Sequence, residues 1–500
     1  MQKSNLMRKI WIGGLVVLMA AGWSSCKNML DIESTRAVTE ENMWATKNDA
    51  WAGSFACYGL LRAAMCNENA YWAHGELRAG QFTITKRGDL QAVRNNRLTS
   101  NYVTMDTWRD WRKFYATIAQ CNLAIAKLPG IPALDERYSR TEMELDLAQV
   151  RYIRAFTYFY MVRVWGDVPL ITEVGQGDFA TLPRTPQNEV LEFAFNEATN
   201  AIAKLPWQFD GTHPEQTGNY RGQGISHWRS ILATKGAGLT LQAHIRVWQK
   251  DYQGALDIIQ VIRDNGSKTG YNIVSVTDLV SNSGTFRGRR NENIFQLDMN
   301  FDHAEISTTG QIENWTLRAP DVSKKEAEMY VTKDSILNIF PLASDLRLTT
   351  FFTDMGSMQP MFYKIKMLND AVKNPTLRFF NSAIVVFRYE ELLLLQAECQ
   401  LRTGNFSGAL TLLNDRRGNR NLTPVLNTVS EEQLLDEIFR ERRRELIGEG
   451  WLWYDLVTFG KVPEFTGLSQ ADVDNGAIYW PVSRAALSLN PKLIQTNYWK

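Results

Sequence analysis

Along several long segments of the chain apolar residues recur every three or four positions, with polar residues between them, the pattern of amphipathic helices. Residues 40–62 place Met43, Trp44, Ala50, Trp51, Phe55 and Tyr58 mostly at this spacing. Residues 142–165 contain RYIRAFTYFYMVRVW and run into Gly166-Asp167-Val168-Pro169; a glycine at the cap with a proline beyond it predicts a long helix ending there. The aromatic cluster Tyr152, Phe156, Tyr158, Phe159 and Tyr160 reads as core between helices. Residues 431–447 give a further helix, apolar through Leu434, Leu435, Ile438, Phe439 and Leu446. In its charged run Arg440 to Glu445, Glu437, Glu441, Glu445 and Glu449 interleave with the arginines, which predicts an ion-paired structural helix rather than a phosphate or nucleic-acid patch.

Two segments repeat each other without a gap. Leu239-Thr240-Leu241-Gln242-Ala243, followed after eight residues by Tyr252-Gln253-Gly254-Ala255-Leu256, matches Leu393-Leu394-Leu395-Gln396-Ala397 followed after eight by Phe406-Ser407-Gly408-Ala409-Leu410. Small residues let two helices approach and the aromatic fills the gap at the turn, as in a tetratricopeptide hairpin, whose paired helices bury a face that neither buries alone. Thr403-Gly404-Asn405 supplies the turn. A second echo, Ala-Ile-Ala-Lys-Leu-Pro at 124–129 and 201–206, predicts helices stopped by proline. The expected fold is mainly α, a scaffold of helical pairs with few short strands. Between the helices, 66–103, 206–224 and 271–333 have no helical period, yet their Trp and Phe content argues for ordered, functional loops.

The amino terminus changes the picture. Lys3, Arg8 and Lys9 precede the uncharged run IWIGGLVVLMAAG and then Trp23-Ser24-Ser25-Cys26, the order of a secretory signal peptide. The site resembles a bacterial lipobox, with Trp23 where the strict pattern has Leu, and identifies Cys26 as the expected lipidation site after a leader of 1–25. The remaining chain, 26–500, has no later apolar run of spanning length. Charge selects no partner: 55 Lys plus Arg face 54 Asp plus Glu, so no basic field favours nucleic acid. Cys57, Cys66, Cys121 and Cys399 form no metal-ligand spacing; they are expected as buried thiols, with a Cys57–Cys66 disulfide as the alternative.

With these observations the chain resembles the SusD/RagB family of outer-membrane nutrient-binding lipoproteins. The resemblance rests on Cys26 followed by Met29-Leu30-Asp31-Ile32, on AQVRYIRAFTYFYMVRVWGDVPLIT at 148–172, on RYEELLLLQAE at 388–398, on FRERRREL at 439–446 with Glu449-Gly450 and Trp453-Tyr454-Asp455-Leu456, and on Trp480-Pro481-Val482-Ser483 with Asn490-Pro491. Trp451 stands where the family commonly has His. The resemblance implies a single SusD-like domain over 26–500, with an N-terminal region to about 220 and a C-terminal region from about 221 that includes the loop-rich insertion 271–333. It further implies four tetratricopeptide-like pairs under a variable face that binds glycans, or peptides in the RagB branch. The partner implied is a TonB-dependent SusC-like transporter, and the location is the outer membrane, facing the cell exterior.

The chemistry of the residues points to binding rather than catalysis. His74, His213, His227, His244 and His303 form no metal helix, and no nucleophile elbow, P-loop or dinucleotide fingerprint occurs. No cofactor is called for, although scattered Asp and carbonyl oxygens leave a loop-bound calcium ion open. Glycan capture needs aromatic faces beside amide and charged side chains. One irregular stretch supplies Tyr71, Trp72, His74, Phe82, Arg87, Asn95, Asn96, Arg97 and Tyr102, another Arg287, Arg289, Phe301, Asp302, Asn314, Trp315 and Arg318. The second follows Glu292-Asn293-Ile294-Phe295-Gln296-Leu297, which resembles the family strand leading into its binding face. From location and chemistry, Trp72, Arg87, Asn96 and Trp315 are the expected ligand contacts. The competing readings are a peptide-binding RagB-like lipoprotein, a tetratricopeptide scaffold that binds only proteins, and a glycosidase using two of the many carboxylates.

Overall fold

In a computed structural model, residues 43–175, 181–211, 220–299, 310–366 and 380–500 are described. Cys26, Met29 to Ile32, His213, Phe301, Asp302 and His303 lie outside the described residues. The scaffold helices are α1 (Lys47–Cys66), α2 (Arg112–Lys127), α3 (Arg140–Trp165), α4 (Gln187–Ile202), α5 (Lys235–Trp248), α6 (Tyr252–Asp264), α7 (Tyr389–Arg402), α8 (Phe406–Gly418), α9 (Glu431–Glu445) and α10 (Leu452–Thr458). Consecutive helices pack as the pairs α1/α2, α3/α4, α5/α6 and α7/α8; α2 also meets α3, α4 meets α5, α6 meets α7, and α9 closes the row against α7 and α8. Thr46–Lys500 packs as one unit, and among the described residues no helix is long and apolar enough to cross a membrane.

Local chemistry explains the boundaries. Thr46 and Ser139 open α1 and α3 with capping boxes to Asp49 and Glu142, and Ser430 does the same for α9 with Gln433, each satisfying backbone donors that a helix start leaves free. The first predicted helix therefore begins later than the apolar spacing implied, at the Thr46 cap. The hairpin repeat is visible in the turns: Asp251 Oδ1 accepts from Gly254 N at 2.9 Å, and Asn405 Oδ1 accepts from Gly408 N at 3.0 Å. A left-handed residue precedes each cap, Lys250 at φ 64° and Gly404 at φ 85°. The hexapeptide echo ends α2 at Lys127 and α4 at Ile202, in both copies before the proline.

Among the described residues the irregular stretches are ordered, as their aromatic content implied, and carry short elements that the missing helical period did not announce. Within 66–103 short helices occupy Ala70–Gly75 and Gly88–Arg94. Among the described residues three two-stranded sheets pin the loops down: β1 (Thr83–Ile84) with β3 (Met329–Tyr330), β2 (Asn293–Leu297) with β6 (Ile384–Arg388), and β4 (Phe352–Thr353) with β5 (Met361–Phe362), all antiparallel. β2 and β6 are buried throughout, and β6 runs straight into α7. Gly75 shows why parts of the loops tolerate no side chain: a Cβ there would stand 2.0 Å from the Gly450 carbonyl oxygen. The aromatic cluster of α3 is core, with Tyr152 and Phe156 edge-on to Phe295 at 4.9 and 6.0 Å.

Most ion pairs of α9 are buried and leave the helix, while Arg440–Glu437 stays on its exposed face. Glu445 accepts from Arg388 Nη1 at 3.0 Å, from Arg420 Nε and Nη2 at 2.9 and 3.0 Å, and from Arg347 Nη1 at 2.9 Å. Glu449 receives Arg388 through Nε and Nη2 at 2.8 and 2.9 Å and also holds Lys364. Arg347 bridges onward to Glu441 at 2.7 Å and to Asp345. Arg442 pairs with Glu391 and Asp455, and Glu391 reaches His244 at 3.1 Å. Arg347, Arg388, Arg420, Glu445 and Glu449 are all buried. Ion pairs along one helix surface contribute little, whereas removing one partner of a buried set strands charge and costs about 3–5 kcal/mol.

Two predictions follow from this network. Glu445→Gln leaves three buried guanidiniums short of charge, and chemical denaturation is expected to show a loss of about 3–5 kcal/mol. The second concerns acid. The Arg347 and Arg444 guanidiniums hold Glu441, against the cost of burial, at about 2, and His244 and Arg442 do the same for Glu391. Depressed folded-state values mean stability that is complete above the ordinary carboxylate value and is lost as pH falls towards 2. Glu76, Glu292 and Glu398, raised by burial to about 7, act only at higher pH. A thermal melt repeated from pH 4.5 down to about 2 should therefore show a continuous fall in Tm.

Candidate functional site

The two expected tryptophan contacts are core residues. Trp72 is 2% exposed, donates Nε1–H to the Gly448 carbonyl at 3.0 Å and stands edge-on to Tyr71. Trp315, also 2% exposed, stands edge-on to Trp108. With no open face, neither indole can stack on a ligand; each closes the core beneath a loop. The polar pair is engaged as well. Arg87 is half-buried and paired with Asp89 and, at 2.9 Å, with Glu328. Asn96, in the left-handed region at φ 54°, accepts from Arg78 Nε at 2.8 Å. His74 is buried between Tyr160 OH and the Trp108 carbonyl, and burial lowers its pKa to about 4. Cys57, Cys66, Cys121 and Cys399 are free thiols, and burial pushes Cys66 up to about 12.

The structure brings a different set together. A cleft of about 420 Å³ opens between the outer face of α1, the segment 227–232 and the end of β2; its size is that of small-molecule sites in general. Phe55, Tyr58, Gly59 and Arg62 line it from α1, because positions three and four apart share a helix face. The Phe55 and Trp228 rings lie nearly parallel, centroids 6.0 Å apart and planes at 14°. Trp228 is 7% exposed, backs the half-buried Phe55 ring and is held by its Nε1–H donating to the Tyr220 carbonyl at 2.7 Å. Tyr58 OH donates to the Gln149 side chain and accepts from Ala233 N at 3.1 Å, and burial holds its proton on far above the ordinary phenol value.

The rim opposite is polar. Arg289 reaches Asp298 Oδ2 through Nε and Nη2 at 2.9 and 2.6 Å and also donates to the His227 carbonyl. Gln296 Nε2 donates to Asp298 Oδ1 at 2.7 Å, and Arg62 Nη1 to the Asp298 carbonyl at 3.3 Å. The side chains of Arg289 and Asp298 remain 20% and 18% exposed, so a ligand can meet them. At the floor, a Cβ on Gly59 would meet nothing within 4 Å: this glycine leaves space rather than relieving a clash. The arrangement can hold an uncharged, hydroxyl-rich molecule, aromatic and apolar groups on one side and a guanidinium, an amide and a carboxylate on the other. Among the described residues no group of three or more His, Cys, Asp or Glu side chains is placed to hold a metal ion.

Comparison with known proteins decides the family. A SusD superfamily protein of Bacteroides thetaiotaomicron, known as a crystal structure, superposes with a TM-score of 0.84 at 36% identity, covering 91% of this chain and 99% of that one. The chain belongs to the SusD family. Residues 338–465 match the family model described as SusD family, and 63–220 match one described as starch-binding and associating with the outer membrane. A SusD-like protein of Formosa agariphila is 27% identical over 98% of both chains. A solved laminarin-binding SusD-like protein shares the fold at TM-score 0.70 and 20% identity, over 91% of this chain and 99% of that one.

In this SusD-like chain the sequence pointed to Arg289 and to the strand that carries Gln296, but placed Phe55 and Tyr58 on the apolar stripe of a helix and did not single out Gly59, Arg62, Trp228 or Asp298 as site residues. One signal was available: a glycine inside an amphipathic helix costs about 1 kcal/mol relative to alanine, which calls for a reason. Trp72→Phe tests the placement of the first tryptophan. It leaves the buried Gly448 carbonyl without its donor, so denaturation should register a loss of about 1–3 kcal/mol, while ligand titrations match the parent.

Proposed function

We propose that the protein is a cell-surface lipoprotein, anchored through Cys26, that captures a glycan in the Phe55–Trp228 cleft and passes it to a TonB-dependent SusC-like transporter in the outer membrane. The observation that carries the reading is the cleft itself, an aromatic pair facing a guanidinium, an amide and a carboxylate, with Gly59 keeping the floor open. Sugar rings offer C–H faces to aromatics and hydroxyls to charged and amide groups. The family description supports an outer-membrane, starch-binding class, and the laminarin-binding relative supports including a β-glucan among the probes. The leader and Cys26 supply the anchor: buried acyl chains contribute roughly 0.8 kcal/mol per methylene, enough for stable attachment when more than one chain is present. The protein's part is binding and delivery, with the chemistry left to other proteins.

Calorimetric titration of the full chain with laminarin, starch and oligosaccharides from other polymers is expected to find binding to at least one. Gly59→Trp fills open space on a helix, so its melting curve should resemble the parent's while glycan binding is lost. A Gly59→Trp protein that binds as tightly as the parent would place the site elsewhere. Binding to oligopeptides and to no glycan would make the protein a peptide-capture lipoprotein of the RagB type. Cys26→Ala should move the protein out of the membrane fraction; its retention there would refute anchoring through that residue.

A further inference from the structure

The charged run of α9 divides in space. Arg442 and Glu445 turn into the buried network, whereas Glu437, Arg440, Arg443 and Arg444 line a separate cleft of about 450 Å³ that Arg417 and Asp345 complete. Four guanidiniums therefore share this cleft with two carboxylates. Those carboxylates are already committed: Asp345 gives both oxygens to Arg347, at 2.9 and 2.8 Å, and Glu437 receives Arg440 at 2.7 Å and lies 3.5 Å from Arg417. Arg444 is bound to Glu441 at 2.8 Å, and Arg417 donates Nε and Nη2 to the Thr423 carbonyl.

Arg443 differs from its neighbours. It donates Nε–H to Gln81 Oε1 at 2.6 Å, and among the described residues its guanidinium forms no salt bridge and its terminal nitrogens donate no hydrogen bond. Burial and the neighbouring Arg444 lower its pKa to about 10, with Glu464 and Glu76 acting only as Coulombic neighbours. Its guanidinium also lies over the Phe465 ring, 5.0 Å from the centroid, a contact with the ring face that leaves the terminal nitrogens as donors in the geometry that matches carboxylate and sulfate. The remaining walls are apolar, through Ile339, Pro341, Leu342 and Leu422. Their presence, and a volume in the range of small-molecule sites, fit a carbon skeleton attached to the anion better than a bare inorganic ion.

We propose that this cleft is a second binding site, for an organic oxyanion: a carboxylate or sulfate ester carried on a sugar-sized skeleton, with Arg443 as its principal partner and Arg440 at the rim. The site is independent of the glycan reading above, since it shares none of the Phe55–Trp228 cleft's residues. It also gives the chain a means of distinguishing acidic from neutral saccharides.

The test is calorimetric titration of the full chain with digalacturonate, galactose 6-sulfate, inorganic sulfate and neutral laminaribiose. At least one of the two acidic sugars is expected to bind, and whichever binds identifies carboxylate or sulfate ester as the source of the anion. Arg443→Gln should weaken it about 10-fold or more, the loss of a charge-assisted fork. Arg443→Lys, which keeps the charge but not the fork, should fall between the two. Glu437→Gln removes a competing carboxylate and should tighten binding about 3-fold, on the scale of a partly exposed ion pair; a damaged fold would not produce that gain. Laminaribiose binding, where present, should be equal in the parent and Arg443→Gln. The proposal fails if neither acidic sugar binds, if Arg443→Gln binds them as tightly as the parent, or if inorganic sulfate binds as tightly as the sugars.

Discussion

Glu445 is the point on which the fold converges. Its two oxygens meet guanidiniums from a loop helix, a strand end and the end of α8, Arg347, Arg388 and Arg420, segments that approach only when the whole C-terminal half is assembled. Such a set adds little net stability, because desolvating the charges offsets most of their attraction. Its consequence is specificity. An alternative packing that displaced any one of these segments would leave a full charge buried without a partner, so misassembled states are penalised far more than the native state is rewarded.

That constraint reaches the ligand cleft through β6. Arg388 ends β6, lies opposite Asn293 of β2 and also takes Glu292, the residue before β2, at 3.1 Å. Fixing Arg388 therefore fixes where β2 starts, and three and five residues beyond Asn293, Gln296 and Asp298 arrive at the rim of the cleft. On the other side, α1 is set by its packing on α2 and α3 and by the amide of Gln149 on α3, which holds Tyr58. One wall is thus carried by α1 and the other by the end of β2, with the polar groups of the cleft at its edge.

The scaffold was legible in the sequence and the cleft was not, for separable reasons. Helices announce themselves by period and by caps: the Gly166 stop and the repeated turn before Tyr252 and Phe406 are local features, and the structure keeps them. Partner choice is not local. The glutamates of α9 have the same spacing whether they meet their own helix's arginines or Arg347 and Arg388, which lie 98 and 57 positions from Glu445, so the spacing announced ion pairing but neither its burial nor the different surroundings of Arg443. Trp72 and Trp315 misled for a related reason. Tryptophan in a loop serves equally to bind a ligand or to close a small core, and only the position of the Gly448 carbonyl, 376 residues from Trp72, separates the two roles.

A scaffold whose specificity is invested in buried charge has a further property. The network and the stacked helices carry most of the burial, so the partly exposed cleft residues Phe55, Arg62, Arg289 and Asp298 can change at a smaller cost to folding than the hydrogen-bonded Tyr58 and the buried Gln296 and Trp228. Gly59 is the extreme case, a position that weakens its own helix and at which an added Cβ would meet nothing within 4 Å. Proteins that share this fold at 20% identity can therefore keep one architecture while presenting different surfaces, and likeness of fold carries no ligand with it. Under the proposals above, what this chain binds rests on a few edge residues: Phe55 and Trp228 facing Arg289 and Asp298, and separately Arg443.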